Sequence, residues 1–141
     1  MNRKYKELLY KGASIKEPYL IEEILVKEGM GWFIDAEVEN AKLEIQNNTL
    51  VFDGGTWYNG VWKFGAWRTG EWKYGKWVDG VWFNGTWYDG VFENGIIFNG
   101  TFLQGKFLSA KLRKKNQMVV GSLCLVFQNS SKESIISPKI T

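Results

Sequence analysis

The chain has 141 residues, 18 Lys and Arg against 15 Asp and Glu, and 16% aromatic residues, which fits one domain with ample material for a core. It contains no histidine, which excludes the commonest general base and metal ligand, and its single cysteine, Cys124, excludes an internal disulfide. No apolar run approaches the roughly 18 residues of a membrane span, and the N-terminus lacks the apolar core of a signal peptide. We therefore expect a soluble protein of a reducing compartment with no membrane partner.

The first 31 residues are predicted to form a helical and loop segment. Residues 3–10 are expected to add a short helix. Residues 19–29 follow Pro18, repeat apolar residues at helical spacing and end at Gly29. Residues 32–54 alternate apolar and polar side chains in several stretches, the pattern of strands. We therefore predict a small N-terminal α/β cap whose β part, residues 32–54, leads directly into the centre of the chain.

A five-residue repeat dominates the centre, residues 55–108. Glycine recurs at every fifth position from Gly55 to Gly105, and a large apolar residue stands two positions after each glycine. A helix cannot carry this pattern, because each glycine would cost about 1 kcal/mol and the period would spread the large side chains around the axis. The predicted structural core of the repeat consists of Trp57, Trp62, Trp67, Trp72, Trp77, Trp82, Trp87, Phe92, Ile97, Phe102 and Phe107.

The residue before each glycine is mostly Asn or Asp, which tolerate positive φ and make tight turns. Each unit is therefore predicted to be a three-residue strand centred on its large residue and closed by a glycine corner. The predicted turn glycines are Gly60, Gly65, Gly70, Gly75, Gly80, Gly85, Gly90, Gly95 and Gly100.

Two architectures fit these units. In the preferred one, an all-β fold with a short Trp-cored β-solenoid, four units make a square coil of about 20 residues, and both Gly and Trp point inward. Residue i then stacks on residue i+20, so that Trp57 lies under Trp77 and Ile97, and on the outside Lys73 lies beside Glu93. The alternative is a narrow antiparallel β-meander, which leaves all the tryptophans on one open face.

After the repeat, residues 109–127 are predicted to form a basic connector and a C-terminal strand, with the strand or strand pair at residues 118–127. Residues 128–141 are predicted to be a polar tail. The densest basic cluster is Lys111, Arg113, Lys114 and Lys115. We interpret it either as a solvated connector or as a docking site for an acidic partner, such as the N-terminal part of another copy, because residues 1–54 carry seven basic against ten acidic residues.

No catalytic, cofactor-binding or metal-binding motif is present, so we predict that the protein is not an enzyme and needs no cofactor. Asp79 and Asp89 stand where Asn stands in other units, so turn chemistry explains them better than a carboxylate pair does. The glycines do not follow phosphate-loop spacing. Lys63, Arg68 and Lys73 fall on three different sides of a coil, which argues against a nucleic-acid partner.

The tandem units GTWYNG, GVWFNG and GTWYDG resemble the Gly-x-Trp-x-x repeats of viral structural and tail-associated proteins, over residues 55–107. The array is also similar to pentapeptide-repeat β-solenoids, with Gly60 and Trp62 in the places of the small and the large inward residues. The resemblance implies a structural component of a phage particle, located in the virion and bound to other structural proteins of the assembly or to itself. The competing expectation is a carbohydrate-binding module that grips sugars with an exposed aromatic ribbon.

Overall fold

The computed structural model describes residues 3–113, 118–120, 123–125, 134–135 and 139–140. The described part of the chain is mostly strand, with one α-helix, α1 (Pro18–Lys27), and a short 3-10 helix (Gly31–Asp35). The strands are β1 (Tyr5–Tyr10), β2 (Ala13–Ile15), β3 (Glu37–Glu39), β4 (Ala41–Gln46), β5 (Thr49–Asn59), β6 (Val61–Trp62), β7 (Ala66–Trp72), β8 (Lys76–Trp77), β9 (Val81–Trp82), β10 (Thr86–Trp87), β11 (Val91–Ile97), β12 (Thr101–Phe102), β13 (Lys106–Leu112), β14 (Met118–Val120), β15 (Leu123–Leu125), β16 (Ser134–Ile135) and β17 (Lys139–Ile140).

The N-terminal cap contains one prediction that is wrong. Residues 3–10 were expected to be helical, but β1 is a strand that pairs antiparallel with β2 and parallel with β4. Tyr5 and Leu8 are both buried although they lie three residues apart, a spacing typical of a helix face. A register shift between Tyr5 and Glu7 inserts an extra residue into the strand and brings both side chains to the core side.

The rest of the cap follows the predicted pattern. The helix lies within the predicted segment, with Pro18 in its first turn and Gly29 just beyond its end at φ 80°. The alternating stretch forms the β4–β5 hairpin, whose two turn residues, Asn47 and Asn48, have φ 50° and 60°. Asparagine tolerates this left-handed conformation, so the turn and the register of the hairpin are encoded locally.

The repeat forms a β-solenoid of about four turns, which confirms the predicted fold. Its strands pair in parallel, so the antiparallel meander is wrong. The square coil is wrong as well, because each residue pairs with the residue 15 positions later: Trp57 with Trp72, and Trp72 with Trp87. Three five-residue units therefore make one coil, and the solenoid has three sides.

Large side chains fill the interior in three columns that run along the axis. Within a column the tryptophan rings are stacked nearly parallel, as for Trp57 and Trp72, whose centroids lie 4.8 Å apart at an interplanar angle of 6°. Successive rings of one coil meet edge to face at 5.7–5.9 Å. The columns are Phe52, Trp67, Trp82, Ile97 and Leu112; Trp57, Trp72, Trp87 and Phe102; and Trp62, Trp77, Phe92 and Phe107.

The solenoid extends beyond the predicted limits of 55 and 108 at both ends. Phe52 stacks on Trp67 at 4.0 Å and takes the place of a tryptophan before the first repeat. Leu112 does the same at the other end, where it pairs with Ile97 and is buried. Part of the predicted basic connector is therefore the last side of the last coil.

Both ends of the stack are covered by other segments. Phe33 of the 3-10 helix is fully buried, with its ring 5.7 Å from Trp57 and 6.2 Å from Phe52, and so closes the N-terminal end of the interior. At the C-terminal end β13 pairs antiparallel with β16, and β14 pairs with β15. β15 also pairs with β17. The predicted tail therefore contributes two short strands, while residues 126–133 of the predicted strand and tail lie outside the described residues.

Tyr5 makes the stability of the cap sensitive to alkaline pH. Burial raises the pKa of Tyr5 above its usual range, and its hydrogen bond to Glu22 at 2.7 Å raises it further. The folded state holds the proton of Tyr5 more tightly than the unfolded state does. The stabilisation that the protonated phenol gives to the folded state is therefore complete below pH about 10 and is lost as the pH rises above it. We expect the unfolding free energy, measured by urea titration, to decrease less steeply above that pH in Tyr5→Phe than in the unaltered protein. The same pH dependence in both proteins would contradict this.

Candidate functional surfaces

The tryptophans of the repeat belong to the interior and not to a surface. All seven, Trp57 to Trp87, have 0% exposure, and the four large residues that continue the columns to Phe107 are buried as well. Ring faces are occupied by neighbours in the same column, and ring edges by neighbours in the same coil. The tryptophans therefore cannot grip a sugar, and the aromatic ribbon expected for a carbohydrate-binding module is wrong in that form.

The corner glycines are fixed by the coil that precedes them. From Gly70 to Gly105, a Cβ atom built on each glycine would lie 2.2–2.9 Å from the carbonyl oxygen of the glycine 15 residues earlier. Most of these oxygens also accept the ladder hydrogen bond of the next coil, as Gly65 O does from Val81 N at 3.0 Å. Glycine is thus required where two coils touch at a corner, and from Gly70 to Gly105 its backbone has φ of 118–139°.

The indole N–H groups tie the core to the same corners. Trp57, Trp72, Trp77 and Trp87 each donate from Nε1 to the carbonyl oxygen 17 residues later, at 2.9–3.2 Å. Each acceptor is the residue just before a corner glycine. The Nε1 atoms of Trp62, Trp67 and Trp82 have no partner among the described residues. Gly and Trp are therefore coupled by the stacking of coils, as well as by the small and large volumes that the sequence suggests.

The predicted turn residues and carboxylates act locally. Asp79 and Asp89 accept hydrogen bonds from the N–H of the next glycine at 2.8 Å, as Asn59 and Asn84 do at equivalent corners. No group of three or more metal-ligating side chains occurs among the described residues. No helix in the part of the chain that the structure describes is long and apolar enough to cross a membrane.

Charged outward residues occur on all three sides, and their pairs follow the 15-residue register. Lys73 was expected beside Glu93, but its ammonium lies 3.8 Å from the ring centroid of Tyr88 and 3.2 Å from Glu71. The hydrogen bond with Glu71 raises the pKa of Lys73. Glu93 pairs with Lys76 at 3.0 Å. These exposed pairs contribute little to stability individually.

The third side, which we call the apolar face, has two neighbouring rungs without an outward charge. Its outward residues flank the column of Trp67, Trp82 and Ile97, and they are Val51, Ala66, Val81, Ile96, Arg68, Phe83 and Phe98. Phe83 and Phe98 stack on each other with centroids 5.0 Å apart and an interplanar angle of 4°. The two rungs of Phe83 and Phe98 carry no outward charge, so this side presents a continuous apolar strip.

A groove of about 530 Å³ lies at the N-terminal end of the apolar face. It is lined by Val51, Ala66 and the side chain of Phe83. The end of the β4–β5 hairpin contributes Gln46, Asn47 and Thr49 to the same lining. The groove therefore combines one aromatic ring with several amide and hydroxyl groups.

Arg68 borders the groove but is held away from the phenylalanine ring. Its guanidinium lies 3.2 Å from Asp53 and 3.7 Å from Glu44, both on strands that precede it. Phe83 N donates to Trp67 O, so Phe83 stands one rung above Arg68, and Phe98 stands one rung further. Phe98 covers one face of the Phe83 ring, and Phe83 and Arg68 both border the groove. Phe83 itself is 42% exposed.

Two further hollows lie where the cap meets the first coils. One, of about 600 Å³, is bordered by Arg3, Lys6 and Lys42 beside the backbone of Gly54 and Gly55. The other, of about 500 Å³, is bordered by residues 36–39 and Tyr58. The hydrogen bond of Tyr58 to Glu39, at 2.8 Å, raises the pKa of the phenol. The second hollow also has one aromatic ring at its border, that of Tyr58, which is 45% exposed.

The predicted basic docking cluster is only partly described. Lys111 and Arg113 flank the buried Leu112 on the last rung of the apolar side, and Lys111 pairs in register with Ile135 of β16. Lys114 and Lys115 lie outside the described residues. Lys63, Arg68 and Lys73 fall on three different sides, as they would in any coil of five-residue units, so they form no common patch.

The sequence reasoning missed the apolar face because it depends on the length of the coil. With a 20-residue coil, Phe98 aligns with Val78 and Tyr58. With the observed 15-residue coil it aligns with Phe83. The signal was the repetition of Phe-Asn-Gly at residues 83–85 and 98–100, 15 positions apart.

The fold and its surfaces define a class, namely short three-sided β-solenoids with an interior of stacked indoles and covered ends. Comparison of the chain with protein-family models, with curated proteins and with solved structures gives no match.

Proposed function

We propose that this protein is a non-catalytic structural component of a larger assembly, in which the solenoid acts as a rigid spacer or docking element. The observation that carries the proposal is the unbroken interior. Each column runs through successive coils with no insertion, from Phe52 to Leu112 in the longest one. The connections between sides are short corners, so the chain contains no long loop between residues 49 and 113 that could serve as a lid.

Rigidity follows from the way in which coils hold each other. Bending the solenoid would separate coils on one side, and this would break ladder hydrogen bonds such as Lys73 N to Trp57 O at 2.7 Å. It would also unstack indoles whose faces are in contact, for example Trp72 and Trp87 at 4.8 Å. Neighbouring coils therefore reinforce one another, as in other repeat proteins.

The surface chemistry supports a scaffold more than an enzyme. Where ionisable side chains of the described residues have shifted pKa values, they are tyrosines bonded to glutamates and Lys73 beside Glu71. Each of these groups is explained by its own surface or cap contact, and they do not converge on one cavity. A general acid and base would need to meet at a common substrate position.

The setting in a phage particle rests on the resemblance of the repeat to viral structural and tail-associated proteins. Partners would be other structural proteins of the same assembly or further copies of this chain. Docking could use the apolar face, whose aromatic strip is typical of protein contact surfaces. The basic residues at the end of the last coil, including Lys111, offer a second contact for an acidic partner.

Sedimentation of native particles tests the proposal directly. We expect an antibody against this protein to detect it in particles purified on a density gradient, at a constant ratio to the major structural protein. The association should survive a wash in 1 M salt if the contact is largely apolar, because salt at that level screens surface charges. Recovery of the protein only in the particle-free soluble fraction would contradict the proposal. A cytosolic enzyme of the producing cell serves as the control, because its presence in the particle fraction would reveal contamination.

A further inference from the structure

We propose that the groove on the apolar face binds a saccharide, with a pyranose ring packed against the Phe83 side chain. The proposal goes beyond the structural role and does not depend on it. It assigns the binding of sugars to a surface made by Phe83 and the β4–β5 hairpin, and not to the tryptophans, which are all buried. The groove volume of about 530 Å³ is within the usual range for ligand sites.

The first argument is the state of the aromatic ring. A sugar presents a face of C–H groups that packs on a flat aromatic surface, and this requires a ring that is exposed on one side and held still. Phe83 borders the groove, is 42% exposed, and is held by the stack of its ring on Phe98. Phe98 thus fixes the orientation of Phe83 before any ligand arrives, and little conformational entropy is lost on binding.

The second argument is the polar rim. Sugar hydroxyls donate and accept hydrogen bonds, so they need partners of both kinds. Gln46 and Asn47, which line the same groove as Phe83, supply amide donors and acceptors. One N–H of Gln46 is used by Glu44 at 2.6 Å, and the amide retains its carbonyl and its second N–H for a ligand.

The third argument concerns charge. Arg68 is the one cation on the rim, and it is already paired with Asp53 at 3.2 Å and with Glu44 at 3.7 Å. The groove therefore has no uncompensated charge that would select a phosphate or a carboxylate. Arg68 can still donate from its remaining N–H groups to a neutral oxygen. The combination of a flat ring, amides and a neutralised guanidinium fits a neutral, hydroxyl-rich ligand best.

The test uses the full-length protein and three defined probes, cellopentaose, chitopentaose and maltopentaose, measured by saturation-transfer NMR and titration calorimetry. We expect at least one probe to bind and Phe83→Leu to weaken that binding at least about tenfold, because leucine keeps the volume but not the flat face. The matched control is Phe64→Leu. Phe64 is 58% exposed and is not among the residues of the groove, so this change should leave the affinity unaltered.

Three results would overturn the proposal. One is the absence of binding by all three oligosaccharides at 10 mM, a concentration well above about 1 mM, the weak end of ordinary affinities. Another is binding that Phe83→Leu and Phe64→Leu weaken equally, which would place the sugar elsewhere. The third is unchanged sugar binding in both variants. A circular dichroism spectrum and a melting temperature like those of the unaltered protein confirm that each variant is folded, since both side chains are on the outside.

Discussion

Replacing Trp72 with alanine should lower the free energy of unfolding by about 3–5 kcal/mol, the range measured for large aromatic residues removed from a core. Trp72 is fully buried in the middle of its column, with ring centroids 4.8 Å from Trp57 and 4.8 Å from Trp87. Its N–H donates to Asp89 O at 3.1 Å. The substitution opens a cavity between two coils and leaves that carbonyl without its indole partner. Urea unfolding followed by circular dichroism measures the loss.

Two variants make this result interpretable. Trp72→Phe keeps a ring in the column but removes the N–H and part of the volume, so we expect a loss between that of the alanine variant and zero. Phe64→Ala removes an exposed ring at a corner and should change the unfolding free energy by less than about 1 kcal/mol. A change of less than about 1 kcal/mol for Trp72→Ala would contradict an interior that is held together by stacked indoles.

Gly80→Ala should be nearly as damaging although it adds a single methyl group, with an expected loss of at least about 3 kcal/mol from backbone strain and steric overlap together. Gly80 has φ 131°, which an alanine adopts only under strain. In addition, its Cβ would lie 2.2 Å from Gly65 O, the oxygen that accepts the ladder bond from Val81 N. Relief of that overlap requires two coils to move apart.

Gly54→Ala separates the two contributions. Gly54 has a similar φ of 141°, but its Cβ would meet nothing closer than the Lys42 Cβ at 3.9 Å. We expect a loss of about 1–3 kcal/mol from backbone strain alone. Thermal melts of both variants measure the difference. Equal losses would show that the contact between coils at the corner adds nothing to the cost of the substitution. That result would contradict the conclusion that glycine is required where two coils touch.

The inward and outward sides of the repeat could be predicted because they are a local property. Residues two apart in a strand lie on the same side, so the spacing from Gly80 to Trp82 is enough to place both toward the interior. The number of sides could not be predicted in this way. A five-residue unit has the same sequence whether the corner bends the chain for a three-sided or a four-sided coil, and the backbone torsions at the corner decide which forms.

The candidate groove depends on the number of sides in the coil. Phe83 gains its stacking partner only in the 15-residue register, and the hairpin that adds Asn47 to the groove comes from the cap. Residues 3–10 show the same limit on a smaller scale. Their apolar spacing fits a helix, but pairing of β1 with β4 and a bulge after Tyr5 make a strand, because the long-range sheet contacts outweigh a weak local preference.

The sequence by itself determined that the centre of this protein is a β structure of five-residue units, with tryptophans inside and glycines at the corners. Those features follow from local chemistry, since only glycine accepts the corner backbone and only alternating strands bury one residue in two. The tertiary structure alone decided that three units close a coil, that Phe33 covers the interior at one end, and that Phe83 stacks on Phe98. These outcomes depend on contacts between residues 15 or more positions apart, whose energies a local pattern does not contain.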